Sequence, residues 1–352
     1  MHTPLFEVKP IDTAVYEEEL RDFLPPRIID VHTHVWLEHF LKKPKDELDR
    51  LVKWPDMVAK DNSFEDLIET YKLMFPGKEV TPICFSTVAK GEDFDLLNGY
   101  VAENAPRYGF PALLFTPPEW SGATMEEKIR KGGFLGIKVY LNLAPDYIPA
   151  PEIRIFDFLP HHLLEFLNTH KQIVMLHIPR DARLKDPVNL AQMLEIEEKY
   201  PDIKLIIAHV GRAYCPEDLG NAFEVLKSTK KMRFDFSANT CSFVFEELLK
   251  CVGPKRVLFG SDLPILRMRM RRICENGKYI NLVPRGLYGD VSIDSHMREV
   301  DSPEADTLTF FMYEELRAFK KAATAVGLTK ADIEDVFYNN AKKMIDDARA
   351  GR

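Results

Sequence analysis

The run IIDVHTHVW, residues 28 to 36, places Asp30, His32 and His34 at alternate positions. Side chains of a strand alternate faces, so positions two apart look the same way. On a strand covered on both sides that shared face is interior, and an imidazole there needs a hydrogen-bond partner or a metal ion. Comparable residues end other apolar runs: His177 follows IVML, His209 follows LIIA, Asp262 follows VLFGS, and Lys138 stands near the end of GFLGI. One histidine in such a place is usually a satisfied core residue. Four of them with an aspartate, at the ends of separate runs, point to a single metal site. Neutral imidazoles and a carboxylate suit zinc and similar divalent ions, and an open coordination position makes such a site catalytic rather than structural. Water at such an ion becomes a nucleophile near neutral pH. A carboxylate can take its proton, and a histidine beside the ion can polarise the substrate or protonate a leaving group.

The elements that must hold these residues can be read from the same runs. Eight short apolar stretches begin near residues 27, 80, 110, 133, 172, 203, 233 and 256, with amphipathic segments between them. Capping signals precede several of these segments, such as Ser63 before FEDLIETY and Ser121 before GATMEEKI. Strands this uniformly apolar are buried on both faces, as in parallel sheets. Eight strand-helix units predict a closed (β/α)8 barrel of α/β class, with a doubly wound sheet as the fallback. The strand ends then gather at one rim. An N-terminal extension (1–27) precedes the barrel (28–352), and long insertions follow strand 1 (35–79) and strand 8 (263–305). The second insertion is basic, with Arg267, Arg269, Arg271, Arg272, Lys278 and Arg285. It reads either as an anion site, with Arg267 at the substrate, or as a set of structural ion pairs or a subunit contact.

Composition narrows the partners. With 352 residues, 45% of them hydrophobic, the chain can bury a large core, and its formal net charge of -8 opposes binding to nucleic acid or anionic membranes. No run approaches the roughly 18 apolar residues of a membrane helix, and the N-terminus has no signal-peptide pattern, so a cytoplasmic protein with a small-molecule partner is expected. Homo-oligomerisation is left open. Five dispersed cysteines without a CxxC pair suggest buried hydrophobes rather than disulfides or a thiolate metal site.

The residues Asp30-Val-His32-Thr-His34, His177, Ala-His209-Val-Gly-Arg212, Gly260-Ser-Asp262-Leu-Pro264 and Asn340-Ala-Lys-Lys-Met-Ile together resemble the amidohydrolase superfamily. The likeness is to its second branch, which contains aminocarboxymuconate-semialdehyde decarboxylase and related hydrolases. It covers the chain from residue 28 onward. The resemblance implies His32, His34, His177 and Asp262 as ligands of one ion, with His209 as the catalytic histidine beside it and Asp262 as ligand, base or both. Lys138 is either carboxylated, bridging two ions, or an ordinary lysine pairing with an acid or contacting substrate. Arg212 either holds a substrate carboxylate or forms a structural salt bridge. Asp30 is expected as a buried carboxylate beneath His32. The implied activity is hydrolysis of a small, carboxylate-bearing substrate, against nonoxidative decarboxylation or an inactive barrel that binds anions.

Overall fold

The eight apolar runs form eight parallel strands: β1 (Arg27–His34), β2 (Glu79–Phe85), β3 (Leu114–Phe115), β4 (Gly136–Val139), β5 (Ile173–Leu176), β6 (Lys204–Ile207), β7 (Arg233–Asp235) and β8 (Val257–Leu258). The computed structural model describes residues 4–41, 54–87 and 91–351. Residues 42–53 of the first insertion lie outside them. β1 pairs with β2, and β3 to β8 pair in sequence order. Two sets of backbone bonds close the ring. Leu113 N donates to Cys84 O (2.9 Å), while Val31 N donates to Phe259 O and His34 N to Leu263 O, both at 3.0 Å. The result is the expected (β/α)8 barrel.

Its interior is filled by alternate strand residues, among them Ile29, Val31, Ile83, Phe85, Leu135, Met175, Ile206 and Leu258. Ala341, Met344, Ile345 and Ala348 join this inner cluster, so the helix Asn340–Ala350 is the closing helix that its sequence suggests. The opposite strand faces pack against the surrounding helices in a larger apolar cluster. Local signals start those helices as read. Ser63 accepts from Asp66 N while Asp66 accepts from Ser63 N, both at 3.0 Å. No described helix is long and apolar enough to cross a membrane.

The second insertion is not a plain loop. It forms a three-stranded sheet of β9 (Arg271–Glu275), β10 (Lys278–Pro284) and β11 (Met297–Val300) in the order β11-β10-β9. β9 and β10 are antiparallel around Asn276 and Gly277, both at positive φ, the backbone that an Asn-Gly hairpin turn requires. The cysteine reading also needs correction. Cys215, after β6, and Cys274, on β9, form a disulfide with their Cα atoms 5.9 Å apart.

The N-terminal extension is tied into this architecture. Asp12 is fully buried, and its carboxylate accepts from Arg269 of the insertion at 2.9 and 2.6 Å. Removing one partner of a buried ion pair strands the other's charge. Asp12→Ala should therefore lower unfolding stability by about 3–5 kcal/mol, read from denaturant melts. A loss below about 1 kcal/mol, the usual worth of an exposed pair, would show that this contact does not anchor the extension.

Candidate metal centre and active site

A β-bulge aims the first histidine. Between Asp30 and Thr33 of β1 three residue steps oppose only two on β2, from Pro82 to Cys84. The extra residue breaks the simple alternation, so the expectation that Asp30 shares a face with both histidines fails. Asp30 instead turns to the helix layer: its Oδ2 accepts from Tyr71 (2.8 Å) of the helix Phe64–Met74, and its Oδ1 from Ser261 N (2.8 Å) and His32 N (3.1 Å). It joins β1, β8 and a helix, and burial pushes its carboxyl up to about 7. Bulges commonly re-aim side chains beside active sites.

Past the bulge, His32 and His34 meet Asp262 from the end of β8. Asp262 Oδ1 lies 3.4 Å from His32 Nε2 and 3.3 Å from His34 Nε2. Ligand bonds of about 2.0–2.2 Å in a tetrahedral divalent site place donor atoms roughly 3.3–3.5 Å apart, so the spacing fits an ion. The tautomers fit as well. His34 Nδ1 is 3.1 Å from the Ser86 carbonyl, which can only accept, so Nδ1 carries the proton and Nε2 is free to ligate. His32 Nδ1 is 3.0 Å from Asp235 Oδ2, with the same consequence. Burial holds both imidazoles below their usual range, hence neutral. Burial also opposes charge on Asp262, yet its carboxyl is held well below the usual carboxylate range and stays ionised. Gly260 keeps this approach open, because a Cβ there would stand 2.9 Å from that of His32.

His209 stands beside this set, its ring 4.9 Å from that of His32. Its Nδ1 is 3.0 Å from the Ser237 carbonyl, which fixes the proton on Nδ1, and burial lowers its pKa to about 4. The local backbone is unusual. His209, Val210, Gly211 and Arg212 have φ of 57°, 49°, 60° and 60°, a single left-handed turn at the end of β6. Each non-glycine residue there costs about 1–2 kcal/mol. Gly211 has a second reason to be glycine, since a Cβ would come within 2.6 Å of Leu184 Cδ1.

His177 does not belong to the three-atom convergence. Its ring packs 4.4 Å from that of Tyr140 and 5.2 Å from that of His209, and its buried Nδ1 has no hydrogen-bond partner among the described residues. His177 lines the cavity beside the centre. Lys138 reaches the centre with Nζ 3.1 Å from His32 Nε2, and burial lowers its pKa to about 8.

The same alternation argument could have found Asp235 in the run RFDFSA. Asp235 is fully buried and accepts four hydrogen bonds: from His32 Nδ1, the His209 backbone N–H (2.8 Å), the Ser237 backbone N–H (3.1 Å) and the Ser237 hydroxyl (2.5 Å). It orients one candidate ligand and His209 together. Such supporting partners typically contribute 10–100-fold in metal affinity. Asp235→Ala should weaken metal binding by about that factor in a chelator competition, and unchanged affinity would mean that packing alone positions His32.

Above these groups lies a cavity of about 450 Å³ walled by, among others, Trp36, Trp54, Tyr140, Tyr214, Tyr279 and Arg272. Arg212 also lines it. No acid pairs with Arg212 among the described residues; its Nη1 donates to the Pro179 carbonyl at 2.9 Å and, less closely, to those of Ile178 and Arg180. Arg267 is placed otherwise than expected at the substrate. It is buried away from the cavity lining, with Nη2 on Asn62 Oδ1 and its guanidinium 5.8 Å from the Phe6 ring.

Comparison with known proteins bears on the fold and the family. A search of curated proteins finds no match. Among solved structures, an amidohydrolase 2 from Bifidobacterium longum subsp. infantis is similar at 16% identity and a TM-score of 0.55, over 92% of this chain and 99% of that one. A putative 2-pyrone-4,6-dicarboxylic acid hydrolase from Pseudomonas putida is similar at 14% identity and 0.53, over 92% and 99%. A dihydroxybenzoic acid decarboxylase from Polaromonas sp. JS666, with bound manganese and the inhibitor 2-nitroresorcinol, is similar at 14% identity and 0.54, over 92% and 97%. At such identities the likeness is one of fold. The amidohydrolase family model, by contrast, matches residues 29–346 directly, a span that runs from β1 through the closing helix, and the chain belongs to that family.

Proposed function

We propose that the protein is a metal-dependent hydrolase of a small substrate bearing a carboxylate. The observation that carries this reading is the convergence of His32 Nε2, His34 Nε2 and the ionised Asp262 Oδ1 at the floor of a cavity lined by Arg212. A divalent ion held by these three, with His177 nearby, supplies Lewis acidity and a nucleophile from water near pH 7. Zinc suits the nitrogen and oxygen donors. Asp262 takes the proton of the attacking water and returns it to the leaving group, which balances the reaction. His209 presents the lone pair of Nε2 and assists as an acceptor. Arg212, with its remaining donors unused among the described residues, holds the substrate carboxylate, and Lys138 offers a further donor.

The state of His209 favours hydrolysis over decarboxylation. Replacing a departing carboxyl group requires a proton delivered to carbon, and a neutral imidazole whose only N–H is tied to the Ser237 carbonyl has none facing the cavity. The test screens carboxylate-bearing lactones, esters and amides with the metal-loaded protein, then repeats turnover in ¹⁸O-labelled water. Solvent oxygen should appear in the product. Release of carbon dioxide, with solvent deuterium entering carbon and no oxygen incorporated, would overturn the reading.

A further inference from the structure

We propose that Arg272, on the sheet inserted after β8, seats an anionic group at the end of the substrate remote from the reacting bond. This deepens the reading above and rests on it: the substrate is a dianion whose second charge is recognised by the insertion.

The basic residues of the insertion divide by their partners. Arg269 pairs with Asp12, Arg271 approaches Glu314 at 3.8 Å, Arg285 pairs with Glu299 and Asp301, and Arg298 with Glu275. Arg183, which faces the same tyrosines as Arg272, pairs with Asp218 at 2.7 Å. Arg272 has no acid within ion-pair distance among the described residues, yet it lines the cavity. Its Nε donates to Asn281 Oδ1 at 2.8 Å and its Nη1 to the Ala238 carbonyl at 2.6 Å, leaving Nη2 unused among the described residues. Asn281 is itself fully buried, so this hold is rigid.

Among the described residues no acid comes within ion-pair distance of the guanidinium. The rings of Tyr214, Tyr279 and Phe311 enclose it at 4.9, 4.6 and 4.6 Å. Glu315 is also buried, which raises its carboxyl well above the usual range, and it lies beyond ion-pair distance of the guanidinium. A desolvated cation without a partner costs several kcal/mol unless something supplies the opposite charge, and the open side of this one is the cavity. Aromatic walls with a fixed planar fork suit a planar carboxylate.

The spacing to the reaction centre is held covalently. The Cys215–Cys274 disulfide joins the segment carrying Arg212 and Tyr214 to the strand carrying Arg272. Two guanidinium groups on stapled segments form a two-point gauge: Arg212 holds the charge near the reacting bond and Arg272 the distal one.

The test is calorimetric binding to the metal-loaded protein, with benzoate against the three benzenedicarboxylates, glutarate and succinate. At least one dianion should bind about tenfold or more tightly than benzoate, the scale of a hydrogen bond to a charged group. Arg272→Gln should erase that advantage and leave benzoate unchanged. Arg272→Lys should restore only part of it, and Arg285→Gln should change nothing. A dianion advantage that survives Arg272→Gln, in a variant whose thermal melt matches the parent, overturns the proposal, as does the absence of any dianion preference across the panel. Failure of the hydrolase reading would appear separately, in the ¹⁸O experiment, without altering these affinities.

Discussion

Asp262→Asn should lower kcat by about 10²-fold or more, the usual scale for removing an acid-base group. The amide keeps the volume and one oxygen toward His32 and His34, so packing at the end of β8 is preserved. It has no basicity to take the proton of the attacking water. Two readouts separate this loss from a loss of ligand. Metal content by elemental analysis should stay near one ion per chain, held by the imidazoles, while KM changes less than kcat. A variant that retains metal and turns over within about tenfold of the parent would remove Asp262 from the proton-transfer role.

His34→Ala should abolish stoichiometric metal binding and, with it, activity. The two losses should move together, because among the described residues the His34 imidazole is one of the three donors that converge at Asp262 Oδ1. His34 is the better probe of the pair. Its side chain is 15% exposed, while His32 is at 1% and bonded to Asp235, so His32→Ala also opens a hole in the core and strands a buried carboxylate. A wild-type enzyme active without metal would defeat the centre altogether. Two ions per chain with a carboxylated Lys138 would instead assign the site to the two-metal arrangement, a result that the approach of Lys138 Nζ to His32 makes worth measuring.

Most strands were legible because they carry short apolar runs such as IVML, LIIA and VLF, and His177, His209 and Asp262 were legible because each follows such a run at its end. Alternation alone misplaced Asp30. A bulge is a difference in residue count between paired strands, and no single strand shows it. Asp235 was missed although Arg233, Asp235 and Ser237 alternate with Phe234 and Phe236 in plain view. In the insertion, charged residues mask the period of β9, but Asn276-Gly277 is a hairpin signal that the sequence does carry. Choosing Arg272 over Arg267 needed the register of that sheet. The disulfide was beyond the sequence for a similar reason: its cysteines are 59 positions apart and meet only because the inserted sheet folds over the loop after β6.

The left-handed turn from His209 to Arg212 gives up stability for direction. Val210 is β-branched and sits at φ 49°, among the least comfortable backbone states for its type. Strain of this kind persists only where the surrounding structure over-determines it. Here the packing of Gly211 against Leu184 and the bonds of Arg212 to the carbonyls after β5 hold the turn closed, and the turn in return aims an imidazole and a guanidinium into one cavity.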